Sequence, residues 1–231
     1  MPVADHLHKS QYCFVHFFRK NLNVGSFIYQ HMGVIGEKCS QDYSISREEQ
    51  DSYAKESYRR AQEAIASGFF EEVVPVSVPQ RKGGPITVDH DEEPNSLDLD
   101  KLSTLRPAFD RHNGTITAAN ASSLNDGACA LVLMTEKDAF NAGVEPLASI
   151  LGHGDAEQDP LLFTTTPSLA VPVALKNAGI ELCDVDFHEI NEAFSVVALA
   201  NMRLMNLDPE KVNVFGGAVA MGHPIGMSGA R

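Results

Sequence analysis

The chain ends in a run that few folds can accommodate, Gly216-Gly-Ala-Val-Ala-Met-Gly-His-Pro-Ile-Gly-Met-Ser-Gly-Ala-Arg231, with five glycines and a proline around a single histidine, His223. Glycine loses more conformational freedom on folding than any other residue, so such a cluster implies tight turns or a close approach of backbone to a partner. A short apolar stretch, Val212 to Phe215, leads into the run and reads as a strand. A histidine on the turn after a strand can present a ring nitrogen to a reacting group, and its unperturbed pKa lies near neutrality.

Upstream, elements of two periods alternate. Ser46-Arg-Glu-Glu49 is a capping box, so a helix is expected from there to about Ser67, with Tyr53, Ser57, Tyr58, Ala61, Ala64 and Ile65 on one stripe and Gly68 as its stop. Val73 to Val78, with Pro75 inside it and Pro79 after it, reads as an edge or irregular strand, and residues 80 to 110 as a long acidic, irregular excursion. Ala128 to Met134 has the pattern of a buried strand, followed by a helix over Glu136 to Ala142 and a strand over Leu147 to Leu151. A helix over Pro167 to Asn177, with Gly179 after it, precedes a strand over Val185 to Ile190 and a helix over Glu192 to Asn206. Strands alternating with helices specify a layered α/β fold.

Charge and cysteine usage narrow the partners. A formal net charge of −13 excludes nucleic acid and an anionic membrane as the main ligand. No apolar run reaches the ~18 to 20 residues of a spanning helix. Cys13, Cys39, Cys129 and Cys183 show no metal-type spacing and read as reduced thiols; Cys129, inside the buried-strand pattern, is expected to be inert. The first 28 residues, with Lys9, Arg19 and Lys20 beside Phe14 to Phe18, read as an atypical leader.

Four ordered blocks then carry a resemblance: His31-Met-Gly33, Gly114-Thr-Ile-Thr-Ala-Ala-Asn-Ala-Ser-Ser-Leu-Asn-Asp-Gly127, Asn191-Glu-Ala-Phe194 and Gly222-His-Pro-Ile-Gly-Met-Ser-Gly-Ala-Arg231. From about Tyr29 onward the chain resembles the thiolases, most closely their mitochondrial acetoacetyl-CoA branch. The resemblance implies the thiolase fold, α-β-α-β-α layers, incomplete at both ends here. Residues 29–152 would be the end of the N-terminal half, with a loop domain over about 43–118, and residues 153–231 the start of the C-terminal half. It implies condensation of two acetyl-CoA molecules and, in reverse, thiolysis of acetoacetyl-CoA. Acyl-CoA is then the substrate, no redox cofactor takes part, and the intact family forms homo-dimers or tetramers. The implied compartment is mitochondrial, with a cytoplasmic alternative.

By that resemblance His223 activates the nucleophile and helps form an oxyanion site. Asn191 fixes a water for the same site, although an asparagine at a strand-to-helix junction is equally a helix cap. Coenzyme A contacts map onto His31, Met32, Tyr58, Ser96, Leu97, Asp98, Lys101, Phe109 and Ser122. A potassium site maps onto Tyr58, Ala118, Ala119, Ala121 and Val219, oxygen ligation that suits a hard cation. The family's nucleophilic cysteine stands before a small-residue turn, its second cysteine in Cys-x-Gly-Gly-Gly, and none of the four cysteines here occupies either setting. The expectation is a chain with the histidine and asparagine but without either catalytic thiol, inactive alone; the other reading is a non-catalytic coenzyme A binder or thiolase-interacting polypeptide.

Overall fold

The computed structural model describes residues 31–231; the expected leader, Tyr29 and Cys13 lie outside the described residues. Helix α1, Met32–Asp42, starts at His31, whose Nδ1 accepts from the Gly33 amide at 3.2 Å. Helix α2, Arg47–Ala66, starts at the capping box: the Ser46 hydroxyl accepts from the Glu49 amide and the Glu49 carboxylate from the Ser46 amide. Two amides that no helical carbonyl can reach are thereby satisfied. Gly68, at positive φ, follows its end. Of the expected stripe, Ser57, Tyr58, Ala61 and Ala64 are buried and Tyr53 and Ile65 half-buried, and Ala54 is buried beside them.

Strands β1, Val76–Val78, and β2, Ile86–Val88, form one antiparallel ladder in the register Val76 to Val88. The acidic excursion continues through short 3-10 turns, Glu93–Asn95 and Leu99–Thr104. Arg47 secures it to α2 by donating to the carbonyls of Leu102 and Leu105 at 2.8 and 3.1 Å. Helix α3, Glu136–Ala142, and helix α4, Pro167–Ala178, fall where the pattern put them, and Gly143 and Gly179 close them in the left-handed conformation. Helix α5, Ser195–Met205, begins three residues later than expected, and the one-turn α6, Ala218–Met221, lies inside the glycine run.

Four expected strands are not formed. Ala128 to Met134 and Leu147 to Leu151 form no regular element, with Leu131, Val132, Leu133, Met134, Leu147, Ile150 and Leu151 exposed. Cys129 is exposed as well, not buried. Apolar patterning favours a strand only where a neighbour supplies its hydrogen bonds, and no strand lies beside these runs among the described residues. Val185 to Ile190 and Val212 to Phe215 meet through a single parallel bridge, His188 to Val212, short of a ladder.

The core gathers around α5. Cys39 and Ile45 from the α1 region, Ile116, and Phe194, Val196, Val197 and Ala200 form one buried cluster. Ala54, Tyr58 and Ala61 of α2 pack with Leu102, Ala119, Val219 and Ala220 in a second. Glu37, buried in α1, accepts from the amides of Thr115 and Ile116 and from the Thr115 hydroxyl, which locks the segment before Ala118 onto α1. This arrangement brings the last three motif blocks together beside the middle of α2, where Asp51 and Ser57 bond to Asn120 and Glu192.

Candidate active site

His223 sits on the turn after α6. Its amide donates to the Ser123 carbonyl at 2.9 Å, joining the terminal run to the block at Gly114–Gly127. Gly222, just before it, has a φ of 84° and lies flat against the Asn125 carboxamide. Any side chain there would be strained and would collide with that amide. The ring is half-buried: Nδ1 lies 2.7 Å from the Ser228 hydroxyl and 3.5 Å from Asn191 Nδ2, and Nε2 makes no hydrogen bond within the described residues. Burial holds the imidazole below the usual histidine value, so at neutral pH the ring is uncharged and can take a proton. Asn191 and His223, the pair expected to work together, are in contact.

Asn191 lies on an extended stretch in which burial alternates: Ile190, Glu192 and Phe194 are inside and Asn191 is exposed. It caps no helix, because the N-cap of α5 is Phe194. Beside it opens a cavity of about 640 Å³ whose walls include Phe69, Phe70, Phe215, Asn125, Gly222 and Met227. Phe69 and Phe215 stack at 3.7 Å between ring centroids, so the phenyl at position 215 becomes part of the wall. Arg231 lines the same cavity and holds Asp91 at 2.8 Å.

Under this site lies a group that the sequence reading passed over. Glu192 is fully buried, and among the described residues no cation pairs with it. Its Oε1 accepts from the Tyr53 hydroxyl and Asn213 Nδ2, each at 2.7 Å; its Oε2 accepts from the Ser57 hydroxyl at 2.8 Å and the Val219 amide at 3.1 Å. Four donors on four lone pairs describe an ionised carboxylate held by neutral groups. Gly217 lies against this carboxylate, where a β-carbon would overlap it, and its amide donates to Ser57 at 3.0 Å. Desolvation, with Glu192 adding to it, keeps the Tyr53 phenol far above its ordinary pKa. Glu192 thus ties α2 to the segments that carry Asn191 and His223. An acidic residue at an apolar-phase position of a helix-bound segment was the available signal.

The other expected residues fall into separate groups. Ser122 lies beside the Asn191 segment, its amide and hydroxyl both 3.1 Å from the Ala193 carbonyl, next to the bridge between Ala121 and Phe194. The His31 and Phe109 rings meet at a tilt with centroids 4.9 Å apart, and Phe109 and Met32 pack on the first cluster. Lys101 pairs with Asp98 at 2.7 Å on the open surface, Ser96 donates to Glu93, and Leu97 packs on the second cluster. Tyr58, Ala119 and Val219 share that second cluster, Ala118 is exposed on the turn before Ala119, and burial pushes the Tyr58 phenol up to about 12. None of the coenzyme A candidates lines the cavity beside Asn191.

Comparison with known proteins decides the family. Residues 6–137 match the family model of the thiolase N-terminal domain and residues 144–231 that of the thiolase C-terminal domain. The chain belongs to the thiolase family. An acetyl-CoA acetyltransferase of Schizosaccharomyces pombe is 57% identical over 202 residues, which cover 87% of this chain and 51% of that protein. A cytosolic acetyl-CoA acetyltransferase of Gibberella zeae is 51% identical, with coverage of 89% and 52%. The acetyl-CoA acetyltransferase of Bacillus anthracis superposes with a TM-score of 0.85 at 41% identity, covering 89% of this chain and 52% of that one. A thiolase of Ascaris suum solved with coenzyme A gives 0.80 at 43% identity, with 89% and 53% covered. The fold is the thiolase fold, and the chain spans about half the length of the relatives it matches. The N-terminal family match reaches back into the stretch read as a leader.

Proposed function

We propose that this chain carries the acid–base part of an acetyl-CoA C-acetyltransferase site. The reaction condenses two acetyl-CoA molecules to acetoacetyl-CoA and runs as thiolysis in reverse. The contact between Asn191 and His223 beside an open cavity is the observation that carries this reading. Its support is the identity to relatives named acetyl-CoA acetyltransferases. His223 has an uncharged ring with Nε2 free, suited to take the proton of a thiol and to donate to a thioester oxygen. Asn191 offers a carboxamide that can fix a water for the same oxygen. Ser122 and the separate groups at His31, Met32 and Phe109 and at Ser96, Leu97, Asp98 and Lys101 would bind coenzyme A, the ligand of the Ascaris suum thiolase. Tyr58 with the carbonyls of Ala118, Ala119, Ala121 and Val219 would hold potassium: the phenol oxygen has no partner within the described residues and shares its cluster with Ala119 and Val219.

On this reading the nucleophilic thiol comes from outside the described residues: Cys39 is buried, Cys129 bonds to the Ala230 carbonyl, and no hydrogen bond joins these or Cys183 to His223. Cys13 runs into Phe-Val-His and does not match the small-residue turn of the family, so the 231 residues alone are expected not to turn over acetoacetyl-CoA. The direct test grafts residues 31–231 into the Schizosaccharomyces pombe enzyme in place of its matching segment. An active graft that loses activity on His223→Ala supports the assignment; a folded graft that is inactive, or one indifferent to that change, overturns it. The division at residues 28, 152 and 153, a homo-oligomer and the mitochondrial or cytoplasmic location belong to the same reading, and the cytosolic name of the Gibberella zeae relative favours the cytoplasm. A second reading, a polypeptide that binds coenzyme A or a thiolase without catalysis, is favoured by the exposed apolar runs at 131–134 and 147–151.

A further inference from the structure

A group that accepts a proton and later returns it must be held equally well in both states. The Ser228 hydroxyl stands 2.7 Å from His223 Nδ1 and has a second neighbour for its own proton, the Pro224 carbonyl at 3.2 Å. A hydroxyl has one donor and two acceptor sites and rotates freely between them. A neutral ring that takes a proton at Nε2 must carry its own proton on Nδ1, and the hydroxyl accepts from that Nδ1–H while its proton goes to Pro224. When Nε2 is protonated the same two bonds persist, now from an imidazolium. Asn191 Nδ2, at 3.5 Å, is a donor and cannot accept from Nδ1–H.

We propose that Ser228 is the positioning residue that carries His223 through its proton cycle, bonding Nδ1 in both protonation states so that Nε2 always faces the reacting group. This rests on His223 as the acid–base group of the site, and it gives the run after Gly222-His-Pro a task besides making turns. Pro224 fixes the turn, and Ser228, four residues on, returns its side chain to the ring. The charged groups that line the adjoining cavity are Glu72, His90, Asp91, Glu92, Asp126, Glu189 and Arg231. Arg231 is paired with Asp91 and Glu72, and burial is the cause that depresses the ring's titration. The hydroxyl is then the principal local support for the charged ring.

The test is an NMR titration of His223 in the whole 231-residue chain, which needs no turnover, so its outcome is independent of the graft assay. A hydrogen bond to a charged partner outweighs one to a neutral partner, so Ser228→Ala should lower the His223 pKa by about one unit. Ser228→Thr, which keeps the hydroxyl, should restore it. An unchanged or raised pKa in Ser228→Ala, or a failure of Thr to restore it, overturns the proposal. Should Ser228→Ala not fold, the unaltered chain decides by its nitrogen-15 spectrum in acid. An Nδ1–H protected from exchange supports the proposal, and one that exchanges as freely as Nε2–H overturns it.

Discussion

Replacing Glu192 by Gln changes one oxygen to an amide and removes a charge, with almost no change in volume. If the amide takes the Oε1 place it meets two donors, Tyr53 and Asn213, and Asn213 is already committed to the Ile190 carbonyl at 2.8 Å. In the Oε2 place it meets Ser57 and the Val219 amide. The Ser57 hydroxyl can turn to accept from it, which leaves one orphan, the buried Val219 N–H. A buried donor without a partner costs about 1–3 kcal/mol, and lost charge assistance adds to this. The expected loss is about 2 kcal/mol, a fall of roughly 1 M in the urea midpoint at a slope near 2 kcal/mol per M. Glu192→Ala strands all four donors and should cost more. Urea unfolding followed by circular dichroism reads both. A Gln variant within about 0.5 kcal/mol of the parent would refute the reasoning, because it would mean that no charged acceptor stands among those donors.

Other consequences are open to simple measurement. Bonds from Arg59 and Arg60 lower the Glu56 carboxyl from 4.5 to about 2, so its stabilisation is present above pH 4.5 and is lost as pH falls toward 2. Glu56→Gln should flatten the acid-unfolding curve across that window; an unchanged curve argues against the pairing. Thiol labelling read by mass spectrometry should modify Cys129 and Cys183 quickly and Cys39 slowly, since Cys39 is buried and burial raises its pKa; fast labelling of Cys39 would show that α1 is not packed as described. The chain should bind a hydrophobic dye through the runs at 131–134 and 147–151, and Val132→Lys with Leu147→Lys should reduce that binding without moving the urea midpoint. No dye binding by the parent would show these runs to be covered.

Helix starts and stops were legible because their causes are local. The capping box at Ser46 and Glu49, Pro167 at a helix start and Gly179 after its end act over four residues and can be read without knowing the fold. The strands were misjudged because pairing is not local: Val132 and Ile150 have the right side chains for a sheet but no neighbouring strand within the described residues. Within the site, His223 and Asn191 stood out in motif blocks, and the structure puts them in contact. Glu192, Asn213 and Ser57 were hidden because each is an ordinary polar residue until α2 brings Ser57 against a segment more than a hundred positions away. Ser228 was hidden differently, inside the glycine run, where it reads as one more turn residue.

The alternation from Ile190 to Phe194 has a consequence for how such a site can change over time. On an extended chain, neighbouring side chains leave on opposite sides, so the buried anchor at Glu192 dictates the direction of the amide one position earlier. The two residues cannot drift independently. Losing or gaining a single residue between them and α5 would send the carboxylate into the cavity and the amide into the interior, spoiling the anchor and the working group together. The amide is therefore guarded by the folding requirement of its neighbour as well as by its own use.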